Sequence, residues 1–294
     1  MSEDKVLQQN MDEYQKAGSV FMIQLLFKEP CAMPDKQRMT EVMTKHLTDV
    51  ECFTHKEAMA GFAANKYLSC FKDGTMPPQL LIMGCNEFDA DKLTPLQRSQ
   101  MWDCSESDRI LSECKYQVVA TDMMAAPLLP KHRAEMVMDF AEALVELYPD
   151  CEAVYFSYSG KMFTPDKIRD HKLAREERFI YFAVNVRYFR IEGTEDMLID
   201  TLGMGTLYMP DVQYHFRGLD PNVLVNHAYN VVSFIYANDN PIKSGDTIDG
   251  AVGDRIDENL QWSCNYEQSL IQPVREVVDI NTGEFAAGTR PDSE

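Results

Sequence analysis

The sequence predicts an α+β fold built from largely antiparallel sheets that are backed by helices. Short apolar runs with the residue types of β-strands recur along the 294 residues, and several longer segments between them have helical periodicity. Most connections between these segments are short, and 45% of the residues are apolar, which is enough for a substantial core. The order of the elements leaves open an arrangement as two ferredoxin-like units, each a sheet packed against helices.

The first strand and the first helix are delimited by proline and by a capping residue. Residues 19–28 (SVFMIQLLFK) are typical of a buried strand, and Pro30 follows them. Asp35 is a good N-cap for the next helix, since its carboxylate accepts backbone hydrogen bonds. Apolar residues then recur at helical spacing: Met39, Val42, Met43 and Leu47. Because His46 lies on this stripe, we interpret it as a packed histidine rather than as a ligand.

The clearest helix of the sequence covers residues 131–148. One face is apolar and is predicted to face the core: Met136, Val137, Phe140, Ala141, Leu144, Val145 and Tyr148. The opposite face is acidic: Glu135, Asp139, Glu142 and Glu146. Burial of each large apolar side chain contributes roughly 1.5–3 kcal/mol before the loss of conformational entropy is counted.

The remaining elements are predicted from apolar runs and turn residues. Lys72-Asp73-Gly74-Thr75 indicates a hairpin turn, because Asp-Gly tolerates positive φ. Strands are expected at residues 66–71, 79–84, 116–121, 153–158, 179–189, 197–202 and 211–216. Further helices are expected at residues 96–114 and 221–235, with most of the 18 methionines serving as flexible core filler.

The domain organisation follows from changes in composition along the chain. Residues 1–17 are polar and predict an N-terminal tail, followed by an N-terminal α+β domain at 18–160. The charged segment 160–178 is the best boundary. A C-terminal α+β domain is expected at 179–280, and residues 281–294 are expected to form a second tail.

The charge of the chain bears on which partners it can bind. The formal net charge is −19, and residues 191–294 hold 18 acidic and 5 basic side chains, a net of −13. Such a surface repels phosphate backbones and anionic lipids, so neither nucleic acid nor a membrane is expected as a partner. The acidity serves solubility in the simplest interpretation, and provides a docking face for a basic protein partner in a more specific one.

Composition also indicates the compartment. No run of 18 or more apolar residues occurs, and the N-terminus lacks the apolar core of a signal peptide. Eight cysteines are scattered singly through the chain without any C-x-x-C pair, which favours reduced thiols over disulfides or a zinc site. The sequence therefore predicts a cytoplasmic protein, and no cofactor is expected.

A series of motifs in the C-terminal third carries a family resemblance. The series consists of Asn185-Val186-Arg187-Tyr188-Phe189, Thr201-Leu202-Gly203-Met204, Pro210-Asp211-Val212-Gln213, Gly245-Asp246-Thr247-Ile248 and Pro273-Val274-Arg275. Over roughly 179–280 the chain thus resembles the bacterial family known as domain of unknown function 4261, and residues 98–103 with 114–116 resemble a region found beside it. The resemblance implies a soluble bacterial protein, often encoded near secretion or interaction genes, and it transfers no catalytic residue.

Several apparent motifs do not meet the requirements of their chemistry. Gly203-Met204-Gly205 lacks the third glycine and the following helix of a dinucleotide fingerprint, so a bend between strands is favoured. Asp211 with His215, and Cys52 with His55, supply only two metal ligands each, and no metal site is predicted. The segment 245–250 has too few ligands for a calcium loop and is interpreted as a turn.

One polar patch remains as a candidate site. Alternate residues of a strand share a face, so polar side chains of the strands at 179–189 and 211–216 meet if the strands are neighbours. The patch consists of Asn185, Arg187, Asp211, Gln213 and His215. Arginine provides a planar fork for carboxylates, and histidine exchanges protons near neutral pH, which together suit a small anionic ligand or an interaction surface. The alternative is a solvated sheet face or a structural Arg187–Asp211 pair.

The sequence leaves three functions open. Because catalytic motifs are missing, the favoured function is a non-catalytic binding or protein-interaction module, and no catalytic residue is assigned. The second is an enzyme or sensor for a small anionic molecule that uses Arg187, Gln213 and His215. The third is an immunity-type protein that neutralises a toxin through its acidic face.

Overall fold

The chain divides into two compact units in a computed structural model that describes residues 6–252 and 255–288. The first unit is Gly18–Ala183, and the second combines Met1–Ala17 with Val184–Glu294. The charged segment 160–178 therefore lies inside the first unit, and the polar N-terminal segment belongs to the second.

The first unit contains one large sheet with helices. Its strands are β1 (Met22–Phe27), β2 (Val50–Lys56), β3 (Met59–Ala64), β4 (Ser69–Phe71), β5 (Gly74–Met76), β6 (Gln79–Met83), β7 (Asn86–Glu87), β8 (Tyr116–Met123), β9 (Ala153–Phe156) and β10 (Lys161–Phe163). Its helices are α1 (Lys36–Leu47), α2 (Pro95–Arg98), α3 (Ser107–Glu113), α4 (Pro130–Leu147), α5 (Pro165–Arg169) and α6 (Arg178–Ala183). The sheet runs β10-β9-β1-β8-β6-β3-β2 with β7 beside part of β8, its pairs are antiparallel, and β4 and β5 form a separate hairpin.

Helix α1 forms where the sequence predicts it. The Asp35 carboxylate accepts a hydrogen bond of 2.9 Å from the backbone N–H of Arg38, which satisfies one of the unpaired amides of the first turn. The predicted apolar stripe is buried, as Met39 and Leu47 illustrate with no exposed surface. Local capping and periodicity are therefore sufficient to define this helix.

Helix α4 buries its apolar face and uses its acidic face for ion pairs. Glu146 contacts Lys45 at 2.6 Å and His46 at 2.8 Å, so the acidic face is joined to α1. Asp139 is buried and accepts a hydrogen bond of 2.8 Å from Arg178, which begins α6. The acidic stripe is thus covered by basic side chains from two other helices.

The face of the large sheet that α1 and α4 leave uncovered is only partly buried. An apolar cluster beneath α3 includes Leu26, Tyr155 and Ile110. Elsewhere on this face, Met22 and Met83 are more than a third exposed, as is Met123. The prediction that methionines serve mainly as core filler therefore fails at these positions, because strand alternation turns them away from the core.

The second unit is a six-stranded sheet with one long helix. Its elements are β11 (Asn185–Arg190), β12 (Met197–Leu202), β13 (Asp211–Phe216), α7 (Pro221–Ala237), β14 (Thr247–Val252), β15 (Arg255–Gln268) and β16 (Glu276–Asn281). The strand order is β11-β12-β13-β16-β15-β14, and β13 and β16 are parallel while the other described pairs are antiparallel. Asp220 caps α7 through a bond of 2.9 Å from Asn222 N–H.

Both terminal segments of the described chain pair with the second unit. Tyr14 bridges to Val274, and the N–H of Gln15 donates to the Val274 carbonyl at 3.0 Å. Near the other end, the N–H of Ala287 donates to the His215 carbonyl at 2.9 Å. Residues 6–17 and 281–288 therefore contribute backbone hydrogen bonds to this unit.

The expected strand over residues 179–189 is wrong in its first half. Residues 178–183 form α6, and the strand begins only at Asn185. A short apolar run fits one buried helical turn as well as a strand, and contacts elsewhere in the unit decide between them. Phe182 packs edge-on against Phe163 with ring centroids 5.2 Å apart, and Phe179 lies 6.1 Å from Phe21.

The predicted α+β class with largely antiparallel sheets and backing helices is confirmed. The sheets have eight and six strands, more than the four strands of a ferredoxin-like βαββαβ unit. Within residues 6–252 and 255–288, no helix combines the length and apolar character needed to cross a bilayer.

Candidate functional site

The five residues of the predicted patch lie in one sheet but not on neighbouring strands. Asn185 and Arg187 are on β11, whereas Asp211, Gln213 and His215 are on β13, and β12 lies between the two strands. Asp200 of β12 is in register with Arg187 on one side and with Gln213 on the other. A polar row therefore crosses the sheet, and its central residue, Asp200, is absent from the predicted patch.

Four of these charged side chains form a buried ion cluster, defined as Arg187, Asp200, Asp211 and Arg275. Arg187 binds Asp200 with two hydrogen bonds, of 2.8 Å from Nε and 2.5 Å from Nη2. Arg275 bridges the two carboxylates, with Nη2 at 2.7 Å from Asp200 and Nε at 3.0 Å from Asp211. Arg187 and Asp211, considered as a direct pair from sequence, are thus connected through Asp200 and Arg275.

The cluster is fully enclosed by protein. Asp200 has no exposed surface, and each of the other three members is at most 5% exposed. Burial raises the pKa of Asp211, and Arg275 opposes this effect. Asp211 also accepts hydrogen bonds from the Thr201 hydroxyl at 3.0 Å and from the Met204 N–H at 3.2 Å. The two positive charges of the arginines balance the two negative charges of the aspartates, and buried charges are tolerated when they are paired in this way.

The buried ion cluster fixes the loop that precedes β16. Arg187 Nη1 donates to the Gln272 carbonyl at 2.9 Å, and Arg275 Nη1 donates to the carbonyls of Ile271 and Pro273. The loop contains a cis peptide bond between Gln272 and Pro273. Arg275 therefore directs its side-chain N–H groups to protein acceptors, and its role in the folded chain is to hold this loop on the sheet.

The other three predicted residues have different surroundings. Gln213 is buried and donates to Asp279 at 3.2 Å while it accepts from the Leu270 N–H at 2.9 Å. Asn185 is also buried. His215 lies further along β13, with Nε2 at 3.2 Å from the carboxylate of Asp196. The predicted patch is thus divided between the buried ion cluster, two separate buried amide side chains and a His215–Asp196 pair.

Gly203-Met204-Gly205 is a tight connection between β12 and β13. Residues Met204–Leu207 form a short 3₁₀ turn, which Gly203 enters with a φ of 150° that favours glycine. Because the Met204 N–H donates to Asp211, this amide is engaged within the protein.

A surface groove that the sequence analysis did not predict lies between α7 and β14, and we refer to it as the α7–β14 groove. It has a volume of about 630 Å³. One wall is a single face of the helix, formed by His227, Asn230, Val231 and Phe234. The opposite wall is β14 together with Ile242 and Ile256. Among the described strands, β14 is at the edge of its sheet.

His227 connects the two walls of the groove through hydrogen bonds. Its Nε2 lies 2.8 Å from the Asp249 carbonyl, which only accepts, so Nε2 carries the proton. The Tyr214 hydroxyl lies 2.8 Å from Nδ1 and therefore donates to it. Burial lowers the pKa of His227, which keeps the imidazole neutral, and the Trp262 ring packs 4.9 Å from it. This chain of contacts connects β13, α7 and β14.

Gly250 lies where the pairing of β14 with β15 is irregular. The register of β14 against β15 shifts between Asp249 and Gly250. A Cβ atom at position 250 would lie 2.8 Å from side-chain atoms of both Leu260 and Trp262, closer than such contacts allow. Glycine at this position thus leaves room for these two side chains.

The groove combines exposed apolar surface with acidic side chains. Phe234 is 48% exposed and Ile256 is 49% exposed. Asp246 and Asp249 contribute carboxylates, and none of the described lining residues is lysine or arginine. The sequence contained one signal of this surface: Phe234 is a large apolar residue of α7 outside the buried stripe of Leu224, Ala228, Val231, Val232 and Ile235.

Within the described part of the chain, no group of three or more His, Cys, Asp or Glu side chains is arranged to hold a metal ion. The family model of DUF4261, a domain of unknown function, matches residues 200–281.

The resemblance to that domain family is therefore confirmed over this span. It includes the whole α7–β14 groove and, of the buried ion cluster, Asp200, Asp211 and Arg275. No curated protein and no solved structure matches the chain.

Proposed function

We propose that this protein is a non-catalytic interaction module whose α7–β14 groove binds a basic amphipathic segment of a partner protein. The observation that carries the proposal is the exposure of Phe234 and Ile256 on either side of a recess that also presents Asp246 and Asp249. Half-exposed apolar side chains in a concave setting lose water favourably when a complementary surface covers them.

Charge complementarity determines the chemistry of the partner. Residues 239–258, which include β14 and part of β15, hold six acidic and two basic side chains, a net of −4. A lysine- or arginine-bearing segment gains favourable long-range attraction at this surface, and an acidic one is repelled. The recess beside α7 suits an amphipathic helix, which places its apolar face in the groove and its cations toward the carboxylates.

The hydrogen bonds that connect the two walls of the groove also favour binding without rearrangement. Tyr214, His227 and the Asp249 carbonyl form a continuous hydrogen-bonded chain, so the two walls are held at a fixed spacing. A rigid groove loses less conformational entropy on binding than a flexible one. A toxin with a basic segment would be one form of such a partner, and this would be an immunity-type role.

The alternative of a sensor or enzyme for a small anion has less physical support. Arg187 and Arg275 already donate to carboxylates and carbonyls of the protein. An anion at these arginines would have to replace Asp200 or Asp211 and leave a buried aspartate without its cation.

The proposal is tested by peptide selection on the folded protein. A phage-displayed library of helical peptides is selected on the wild type and counter-selected on the double variant Phe234→Asp, Ile256→Asp. We expect enrichment of peptides that combine aliphatic residues with Lys or Arg. Enrichment of acidic peptides, or of peptides that bind the double variant equally well, would contradict the proposal.

Affinity of a selected peptide is then measured by fluorescence anisotropy. Phe234→Ala is expected to raise Kd at least ~10-fold, since aromatic anchors dominate interface energies. The matched control is Tyr208→Ala, which removes an aromatic side chain of similar exposure outside the groove and should change Kd less than ~2-fold. Asp246→Asn with Asp249→Asn should weaken binding and reduce its dependence on salt.

A further inference from the structure

Two cysteines of the first unit are brought together from distant parts of the sequence. Cys31 lies in the loop between β1 and α1, and Cys85 lies in the loop between β6 and β7. The backbone N–H of Cys31 donates to the Cys85 sulfur at 3.4 Å, and the two side chains also interact by a hydrogen bond. The two cysteines are 54 positions apart in sequence, and the segment between them includes α1 and five strands.

The two sulfurs are within reach of a covalent bond. A backbone nitrogen lies about 2.5 Å from the Cβ of its own residue, so the Cys85 sulfur lies within about 6 Å of the Cys31 Cβ. Formation of the bond requires a rotation of the Cys31 side chain and a shift of the loops that brings the two sulfurs to the S–S length of about 2.05 Å.

Both loops are held in place by contacts other than the thiols. Gly84 donates to the Ala58 carbonyl at 2.8 Å, and a Cβ at position 84 would lie 2.6 Å from the Glu57 carbonyl oxygen. On the other side, His55 Nε2 lies 2.9 Å from the Pro34 carbonyl, three residues after Cys31. The proximity of the two cysteines is therefore built into the fold of this unit.

The pair also differs in accessibility from most other cysteines. Cys31 and Cys85 are each half-buried in a loop, whereas Cys104, Cys114, Cys151 and Cys264 are buried. Small disulfides in solution can reach a half-buried loop thiol, and they are excluded from a packed core. Cys70 is exposed, which makes it a suitable reference for simple accessibility.

We propose that Cys31 and Cys85 are a redox-active dithiol that forms an intramolecular disulfide by exchange with a low-molecular-weight disulfide such as glutathione disulfide. In the first step the Cys85 thiolate attacks glutathione disulfide, forms a mixed disulfide and releases one glutathione thiolate. In the second step the Cys31 thiol gives its proton to the glutathione thiolate released in the first step, and the Cys31 sulfur attacks the Cys85 sulfur. The bond between Cys85 and glutathione breaks, and the second glutathione leaves as a thiolate that takes up a proton from solvent. The protein dithiol is oxidised by two electrons, and glutathione disulfide is reduced to two glutathiones.

The order of these steps follows from the surroundings of Cys31. Burial, and then the hydrogen bond with Cys85, raise the pKa of Cys31, so Cys31 is the protonated partner of the pair. Cys31 therefore donates its hydrogen bond to the Cys85 sulfur and acts second. Because the resolving thiol is already in contact, the mixed disulfide is expected to be short-lived.

The test uses the full chain in defined ratios of reduced to oxidised glutathione, followed by alkylation and intact-mass measurement. We expect a species that carries two fewer alkyl groups than the alkylated reduced protein, with a single peptide cross-link between Cys31 and Cys85. The single variants Cys31→Ser and Cys85→Ser should abolish the cross-link, and Cys31→Ser should accumulate a glutathione adduct at Cys85. Cys70→Ser is the control and should leave the cross-link unchanged.

Two results would overturn the proposal. One is glutathione adducts on wild-type Cys31 or Cys85 that persist without the cross-link. The other is a pair that stays reduced under ratios that fully modify Cys70. Formation of the cross-link should also raise the Tm of the first unit, because it closes a long loop in the unfolded chain, and this shift should be absent in Cys85→Ser.

Discussion

Asp200 is the residue on which the buried ion cluster depends. Both arginines of the cluster donate to its carboxylate, and it has no exposed surface. A buried carboxylate with two guanidinium partners offsets its desolvation cost through short, charge-assisted hydrogen bonds. Removal of its charge leaves an excess of positive charge in a place that water does not reach.

The substitution Asp200→Asn is therefore expected to destabilise the second unit by about 3–5 kcal/mol, the usual cost of breaking a buried ion pair from one side. Urea unfolding followed through the buried Trp262 measures this change. Glu192→Gln, at an exposed position of the same unit, serves as the control and should change stability by less than ~0.5 kcal/mol. A loss below ~1 kcal/mol for Asp200→Asn would contradict the assignment of a structural role.

At the scale of elements, the acidic face of α4 shows how charged side chains assemble helices. Glu142 contacts His171 at 3.0 Å and Arg178 at 2.5 Å, and His46 of α1 lies 3.6 Å from it. Burial opposes ionisation of Glu142, but hydrogen bonds from His46, His171 and Arg178 outweigh it and lower its pKa to about 2. The carboxylate thus remains charged at neutral pH and holds the neighbouring segments to α4.

His46 should make the packing of α1 on α4 dependent on pH. Hydrogen bonds with Glu142 and Glu146 raise the pKa of His46 above 6.5, against the opposing effect of burial. A raised pKa in the folded state means that the stabilisation is complete below 6.5 and is lost as pH rises through the folded pKa. The free-energy difference between wild type and His46→Gln should therefore be largest near pH 5.5 and shrink toward pH 8.

This difference is measured by urea unfolding of the two proteins over that pH range. Gln37→Ala, at an exposed position of α1 that carries no titratable group, serves as the control and should change the free energy of unfolding equally at each pH. If the free-energy difference between wild type and His46→Gln instead grows toward pH 8, the raised pKa of His46 is contradicted.

The helices illustrate how much of the fold is predictable from local signals. Asp35 and Asp220 cap α1 and α7 at the positions that their sequence context indicates. Residues 178–183 are not preceded by Ser, Thr, Asp or Asn, and their aromatic side chains suit a strand equally well. Packing of Phe179 and Phe182 against other aromatic rings selects the helix, and this information is not local.

At the scale of the whole molecule, the first residues of the chain complete the unit formed by the last third. Glu13 accepts a hydrogen bond of 2.7 Å from the Gln272 side chain, and its carbonyl accepts another of 2.7 Å from the Val274 N–H. Gln9 accepts from the Gln272 N–H at 3.0 Å. These contacts cover the loop that the buried ion cluster holds from the other side.

Deletion of residues 1–17 is expected to lower the Tm of the second unit, because the loop at Gln272 loses its hydrogen-bond partners. Each 1 kcal/mol lost from the free energy of unfolding lowers the Tm by roughly 4–8 °C. The two tryptophans allow each unit to be followed separately: Trp262 in a Trp102→Phe background and Trp102 in a Trp262→Phe background. The signal of Trp102 should be unaffected. An unchanged Tm for the Trp262 signal would show that the segment adds no stability.

The sequence by itself determined the α+β class, the capped helices and the acidic character of residues 191–294. These properties follow from periodicity, capping and charge, all of which act over a few residues. It also indicated that the polar residues of 185–187 and 211–215 occur in strands, and the predicted patch required these two strands to be neighbours.

Only the tertiary structure decided what those polar residues do. The insertion of β12 between β11 and β13 places Asp200 at the centre of the row, and Arg275, 64 residues after Asp211, completes the charge balance. The Cys31–Cys85 contact likewise joins segments far apart in the chain, and the α7–β14 groove depends on how two consecutive elements pack. The physical reason is that strand order and long-range packing are set by burial of the whole core, whereas sequence patterns report only the preference of each segment.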